Sequence, residues 1–142
     1  MKIRSQANAR HVLLEFCKNY SERNLEKNLS LFSEKAHLWG TGVDENRVGL
    51  KEIEAQLKRD WSQSESGKLD LVSWVEPISE TDLWAAAVCR ATVVMGGIPH
   101  VFENLRGTIM VEKEEGDWKI VHMHASFPDA RQPAGDSFPV SS

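Results

Sequence analysis

Two histidines, His122 and His124, stand two residues apart in the run WKIVHMHASFP, 118–128, which otherwise reads as a strand. Alternate residues of a strand share a face, so the pair is placed to chelate a metal, move a proton, bind an anion or pack. A stable zinc-type site needs a third or fourth ligand of the right kind. With Glu112 opposite Trp118 in the last hairpin, His122 faces Thr108 and His124 faces Arg106, and a guanidinium there opposes a bound cation. No metal and no cofactor is therefore expected, and the histidines read as structural or interfacial.

A second candidate is Arg90, within the apolar run LWAAAVCRATVVM, 83–95. It shares its parity with Trp84, Ala86, Val88, Thr92 and Val94, and an unpaired charge in such a set is costly. A hairpin at GGIP with Met95 opposite His100 places Glu103 diagonally beside Arg90. The partner is then Glu103 or an anionic ligand. Beside a guanidinium, Glu103 stays ionised and serves as a salt-bridge partner or a base, not as a proton donor. Asp70 and Glu76 are further carboxylates whose face the pattern leaves open. Trp39, Trp61 and Trp84 read either as core or as the lining of a pocket.

Other chemistries have no footing in the residues. The chain has no phosphate-cradling glycine loop, no nucleophile elbow and no Cys/His cluster at metal spacing. Cys17 and Cys89, its two cysteines, both lie in apolar segments as lone thiols or as a disulfide; nothing else points to secretion. A net charge of −4 on 142 residues gives no footprint for nucleic acid or an anionic membrane. No apolar run approaches the roughly 18–20 residues of a membrane span. The start, MKIRSQANARH, lacks the apolar core of a signal peptide, so a cytoplasmic protein is expected.

The elements that must hold these residues come in a plain order. Ser5 caps a first helix with Val12, Leu13, Phe16, Cys17 and Tyr20 at helical spacing. A short second helix starts near Glu22. Ala36 to Gly42 reads as a strand ending in a turn. A third helix carries the stripe Leu50, Ile53, Leu57 and Trp61. Four strands follow: 69–78, broken near Pro77, then 83–95, 99–113 and 118–127, joined by short turns that make neighbours antiparallel. The expectation is an α+β domain over 1–128, three helices on a strongly curved antiparallel sheet, with a tail or dimer arm over 129–142.

Parity then assigns faces. In the last strand the odd set, Met123 among it, faces the helices and any pocket under them. The even set is Trp118, Ile120, His122 and His124, also too apolar for a solvated face. A sheet apolar on both sides must be covered on both, and the chain has too few helices for two covers. A homodimer packed through that even face is expected.

The segments CRATVVMGGIP and ENLRGTIMVEKEEGDWKIVHMHASFP resemble the end of a nuclear transport factor 2-like, or SnoaL-like, domain. They are most similar to the association (hub) domain of calcium/calmodulin-dependent protein kinase. GTGVDENRVGLKEIEAQL resembles the first strand and third helix of stand-alone bacterial SnoaL-like proteins. The resemblance implies a cone with a pocket at its open end. In such families the pocket serves isomerases, dehydratases, hydrolases or polyketide cyclases, and elsewhere the fold serves only assembly. It also implies that Arg90 matches one of three pocket arginines of the hub domain, with Ala125 and Ile109 near the positions of the others, and that His122 and His124 point to the dimer face. Two functions follow as expectations: a pocket for an apolar small molecule with one anionic group, lined by Arg90, Trp39, Trp61, Trp84, Glu103 and Met123, or a non-catalytic assembly module.

Overall fold

The computed structural model describes residues 5–76 and 83–139. Helix α1 (Ser5–Glu22) is followed by α2 (Leu25–Leu29), β1 (Phe32–Trp39), β2 (Asn46–Val48) and α3 (Gly49–Ser62). Then come β3 (Ser66–Trp74), β4 (Trp84–Met95), β5 (Ile98–Glu114) and β6 (Asp117–Ser126). The break near Pro77 lies outside the described residues, and Ser5, expected to cap α1, is the first residue of the helix itself.

Local chemistry accounts for the helices. Asn24 caps α2, its side chain accepting from the Lys27 amide at 3.1 Å. Glu52 reaches back to the Val48 amide at 2.8 Å, satisfying a donor at the start of α3. The apolar stripe of α3 then buries Ile53 and Leu57. With Ile109, Val111 and Ile120 these form the centre of one core between helices and sheet.

The six strands run in the order β2-β1-β6-β5-β4-β3. All neighbours are antiparallel except β1 and β6, which are parallel. Strands β3–β6 form the antiparallel meander expected, and the parallel docking of β1 on β6 makes the whole sheet mixed. A parallel pair needs a long crossover, and here α3 and the strands β2–β5 supply it. Strand β2, which has no counterpart in the sequence reading, pairs with the end of β1.

Both long hairpins are tighter than the sequence suggests. The first turns on Gly96 and Gly97 alone, both at positive φ (59° and 76°), so Met95 pairs with Ile98 and not with His100. Two consecutive positive-φ residues form the turn whose twist suits a hairpin. The second turns on Glu115 and Gly116 (φ 52° and 89°), pairing Glu114 with Asp117.

Bulges then break simple alternation. Between Cys89–Leu105 and Ala91–Phe102, β5 carries one extra residue, with Asn104 at φ 60°. Between Met110–His122 and Val111–Ile120, β6 carries Val121 as the extra residue. A bulge reverses which parity faces inward. Ile120 is accordingly fully buried in the core, and Trp118 packs against it. His122 and His124 lie on the opposite face. The expected single face of Trp118, Ile120, His122 and His124 is thus divided by one residue.

Candidate functional site

The sheet and helices enclose an open cavity of about 430 Å³. Its walls come from α1, α3, β1 and β3–β6 and are mostly apolar. Met123 and Trp61 line it, as expected from the sequence. Phe102 and Phe127 also line it, their rings 6.2 Å apart and both exposed.

One end of the cavity is polar. The Tyr20 hydroxyl donates to Asp60 Oδ2 at 2.8 Å, and Gln56 Nε2 donates to Asp60 Oδ1 at 2.7 Å. Gln56 is itself buried, and its Oε1 accepts from Arg47 Nε at 2.9 Å. A chain of hydrogen bonds therefore runs from Arg47 through Gln56 and Asp60 to Tyr20. The ring of Tyr20 packs between Phe16 and Trp61, each centroid 5.8 Å away, while the Trp61 indole donates to the Tyr20 carbonyl at 3.2 Å. Burial, followed by the Asp60 charge, pushes the Tyr20 hydroxyl well above the usual tyrosine range. Tyr20 thus stays protonated.

Glu45 enters the same cavity from the β1–β2 loop. The loop closes with Gly40 N donating to Glu45 O at 2.9 Å, and Arg59 Nη2 holds the Glu45 carboxylate at 3.2 Å. A Cβ at Gly40 or Gly42 would meet the Glu45 side chain, so a larger residue at either position would displace that carboxylate. Among the described lining residues the charged side chains are Glu45, Asp60 and Lys68. Lys68 is exposed and sits 3.5 Å from Asp70. The polar end is rich in acceptors and poor in cations.

Arg90 is not part of this site. Its Nε donates to both oxygens of Glu103, at 3.0 and 2.8 Å, on the opposite face of the sheet, and both side chains are about half exposed. The partner proposed for Arg90 is right and its location is not. Glu103 leaves the pocket with it. Arg90 stands between Cys89 and Ala91, which line the cavity, so it points to the other face, and the β5 bulge sets Glu103 on that same face. Trp84 lies on that outer face beside Met110, and Trp39 does not line the cavity either.

Trp39 belongs to a histidine cluster on the outer face. Its ring stands edge-on to His37, His122 and His124, with centroids 5.1, 5.5 and 5.2 Å away. His37 Nδ1 and His122 Nδ1 are 3.1 Å apart, and His37 Nε2 lies 2.7 Å from Asn46 Oδ1. The Asn46 oxygen can only accept, so His37 carries its proton on Nε2. Its Nδ1 then accepts from His122 Nδ1–H. Burial first, then His37 and His124, hold His122 below the usual histidine range. His124 faces Thr108 and His122 faces Met110, while Arg106 pairs with Ser126. The guanidinium expected beside His124 is therefore absent from that position. Among the described residues no group of three or more His, Cys, Asp or Glu side chains is placed to hold a metal. Among the same residues no helix is long and apolar enough to cross a membrane.

Sequence reasoning found Trp61 and Met123 and missed Tyr20, Glu45 and Asp60. Tyr20 looked like one more member of an apolar stripe. The available signal lay in Gln56 and Asp60, four apart and directly beside the stripe residues Leu57 and Trp61.

A model of the SnoaL-like domain matches residues 9–130. No curated protein matches the sequence. Among solved structures, a Xanthomonas campestris protein named for the calcium/calmodulin-dependent protein kinase II association domain is similar, at 18% identity and a TM-score of 0.70. The match covers 85% of this chain and 86% of that one. An NTF2-like protein of unknown function from Pseudomonas putida KT2440 shares 12% identity at a TM-score of 0.67, covering 97% and 96%. The TerC protein, co-crystallised with polyporic acid, shares 13% at a TM-score of 0.67, covering 84% and 91%. At such identities the structures establish the fold, an α+β cone. With the family model spanning most of its length, the chain belongs to the SnoaL-like domain family.

Proposed function

We propose that the cone binds a mainly apolar small molecule and holds a hydroxyl or similar hydrogen-bond donor of that molecule at the Tyr20–Asp60 pair. The observation that carries this reading is the single polar end of an otherwise apolar cavity. Such cavities gain affinity from apolar burial and orientation from a few polar groups. With Asp60, Glu45 and the Tyr20 oxygen as acceptors, the site favours a donor and disfavours a carboxylate. The displacement of Arg90 to the outer face removes the reason for expecting an anionic ligand.

The same pair supports proton transfer without a cofactor. Asp60 is the base, and the Tyr20 hydroxyl, kept protonated, bridges the carboxylate and a ligand oxygen. That arrangement suits an isomerase, dehydratase or cyclase-type reaction. A TerC neighbour crystallised with an organic ligand is consistent with a ligand role for the fold.

The test is a thermal-shift screen with polycyclic phenols and alcohols, matched ketones, and small carboxylates. A ligand of the folded state raises Tm by mass action. Hits among phenols and alcohols that weaken about tenfold or more in Tyr20→Phe and Asp60→Asn bear the reading out. Preferential binding of carboxylates, unchanged in both variants, refutes it.

A second reading, assembly, rests on the outer face, where Trp39 is 47% and Met110 50% exposed. Exposed apolar patches of this kind mark interaction sites. A second copy of the chain through the Trp39–His122–His124 face is the proposed cover, with the tail from Asp129 as its clasp. Gel filtration of Trp39→Glu should then show a monomer where the parent chain shows a dimer. A monomeric parent at micromolar concentration ends this reading.

A further inference from the structure

We propose that Phe102 and Phe127 form an aromatic clamp at the mouth of the cavity, and that the molecule held at Tyr20–Asp60 is an aryl compound whose flat ring packs against both. The clamp rests on the reading of the Tyr20–Asp60 end and names the class of molecule held there. Among the described lining residues from β4 onward, the exposed ones are Met95, Phe102 and Phe127, all apolar. Phe102 is 42% exposed and Phe127 40%. Leaving that much phenyl surface in water forgoes the gain of burying it. Apolar surface continuous with a cavity marks a ligand groove.

The backbone is bent to place these rings. Leu105 lines the cavity, so unbroken alternation along β5 would bring Glu103 inward opposite Ala91 and turn Phe102 outward. The bulge reverses this. Arg90 stands opposite two residues, Glu103 and Asn104, and Asn104 takes a φ of 60°, a left-handed conformation that asparagine tolerates better than most residues. Phe102 then pairs with Ala91 on the cavity side, and Glu103 is held by Arg90 on the other. The bulge thus exchanges a carboxylate for a phenyl ring at the mouth. Phe127, just past the end of β6, reaches the same place, its ring 6.2 Å from that of Phe102 and tilted by 49°.

The geometry of the pair sets the ligand class. Two rings at this spacing and tilt form an open V, and both keep exposed surface for a third ring. A flat aromatic ring meets them offset-stacked or edge-on, whereas a puckered saturated ring of the same size gains burial alone. Strands and the chain just after them carry the clamp, and helices carry the polar end, with Tyr20 on α1 and Asp60 on α3. Ser21, next to Tyr20, accepts from the Leu69 amide, and Leu69 lies in one row with Ala91 and Phe102. Phe102 thus stands two strands, about 10 Å, from the point where α1 meets the sheet. The ligand that fits is elongated, with a hydroxyl at one end and an aromatic ring at the other.

The experiment measures, by calorimetry, the affinity of the folded chain for 4-phenylphenol and 4-cyclohexylphenol, with 4-methoxybiphenyl as the probe that lacks the donor. The two phenols share the hydroxyl and differ in whether the far ring is flat. The expected result is that 4-phenylphenol binds about three- to tenfold more tightly. That preference should vanish in Phe102→Leu and in Phe127→Leu, while Tyr20→Phe weakens both phenols and leaves the preference in place. Two phenols bound equally by the wild type, or a preference that survives in both leucine variants, overturns the clamp and leaves the Tyr20–Asp60 reading standing. Binding of 4-methoxybiphenyl as tight as that of 4-phenylphenol refutes the reading of the polar end on which the ligand class rests. Absence of binding by either phenol refutes both. If a leucine variant fails to fold by circular dichroism, the wild-type preference and the remaining variant decide.

Discussion

The Tyr20–Asp60 pair can be tested by its titration, because the chain contains a single tyrosine. Tyrosinate absorbance therefore reports Tyr20 alone. A free tyrosine ionises near pH 10. In the fold, burial and the Asp60 charge both oppose the anion and raise the group above that value. A raised tyrosine pKa means that the unfolded chain loses its proton first, so stability is kept below about pH 10 and lost above it. Each pH unit between the two values removes about 1.4 kcal/mol. Against a typical domain stability of about 5–15 kcal/mol, a few units bring the fold to its limit. Tyrosinate should then appear together with the loss of circular dichroism, not before it. Asp60→Asn removes the charge, and its amide also meets Gln56 Nε2, whose partner oxygen is already held by Arg47. In this variant tyrosinate should appear at lower pH than in the parent, ahead of unfolding. A parent midpoint near 10 with the fold intact would refute the buried pair.

Three further outcomes follow from the same geometry. Ile109→Ala empties a fully buried position at the core beneath the cavity and should cost about 2–5 kcal/mol, read as a lower urea midpoint; a change below about 1 kcal/mol would place Ile109 at a softer site. Arg90→Ala breaks an exposed ion pair and should leave both ligand binding and Tm unchanged within about 2 °C, whereas a loss of binding would return Arg90 to the pocket. His122 is held below the usual histidine value, so the unfolded chain takes up that proton first, and stability should fall as pH drops below about 6.5. His122→Gln should flatten that slope between about pH 6.5 and 5 in urea titrations, and a slope of unchanged size would assign it to other groups.

The amino-acid sequence by itself determined the three helices and the order of all strands but β2, the stripe of α3 and the inward places of Trp61 and Met123. It also carried the family, through the glycine hairpin, the last strand and GTGVDE. These are local patterns, and local pattern is what side-chain periodicity records. It did not determine which face Arg90, Glu103, Trp39, Trp118 or Ile120 occupies. The extra residue in β5 decides this for Glu103 and the one in β6 for Trp118 and Ile120, because each bulge exchanges the two faces of a strand beyond it; Arg90 on β4 and Trp39 on β1 follow simple alternation, and only the packing of the helices against the other face turns them outward. Nor did it contain the site as a motif. Tyr20 comes from α1, Glu45 from a loop and Asp60 from α3, and only closure of the helices over the sheet brings their oxygens to one end of a cavity. The histidines were legible as a pair on one face; their hydrogen-bonded partner His37 was not, because β1 reaches β6 only through the parallel pairing that closes the sheet.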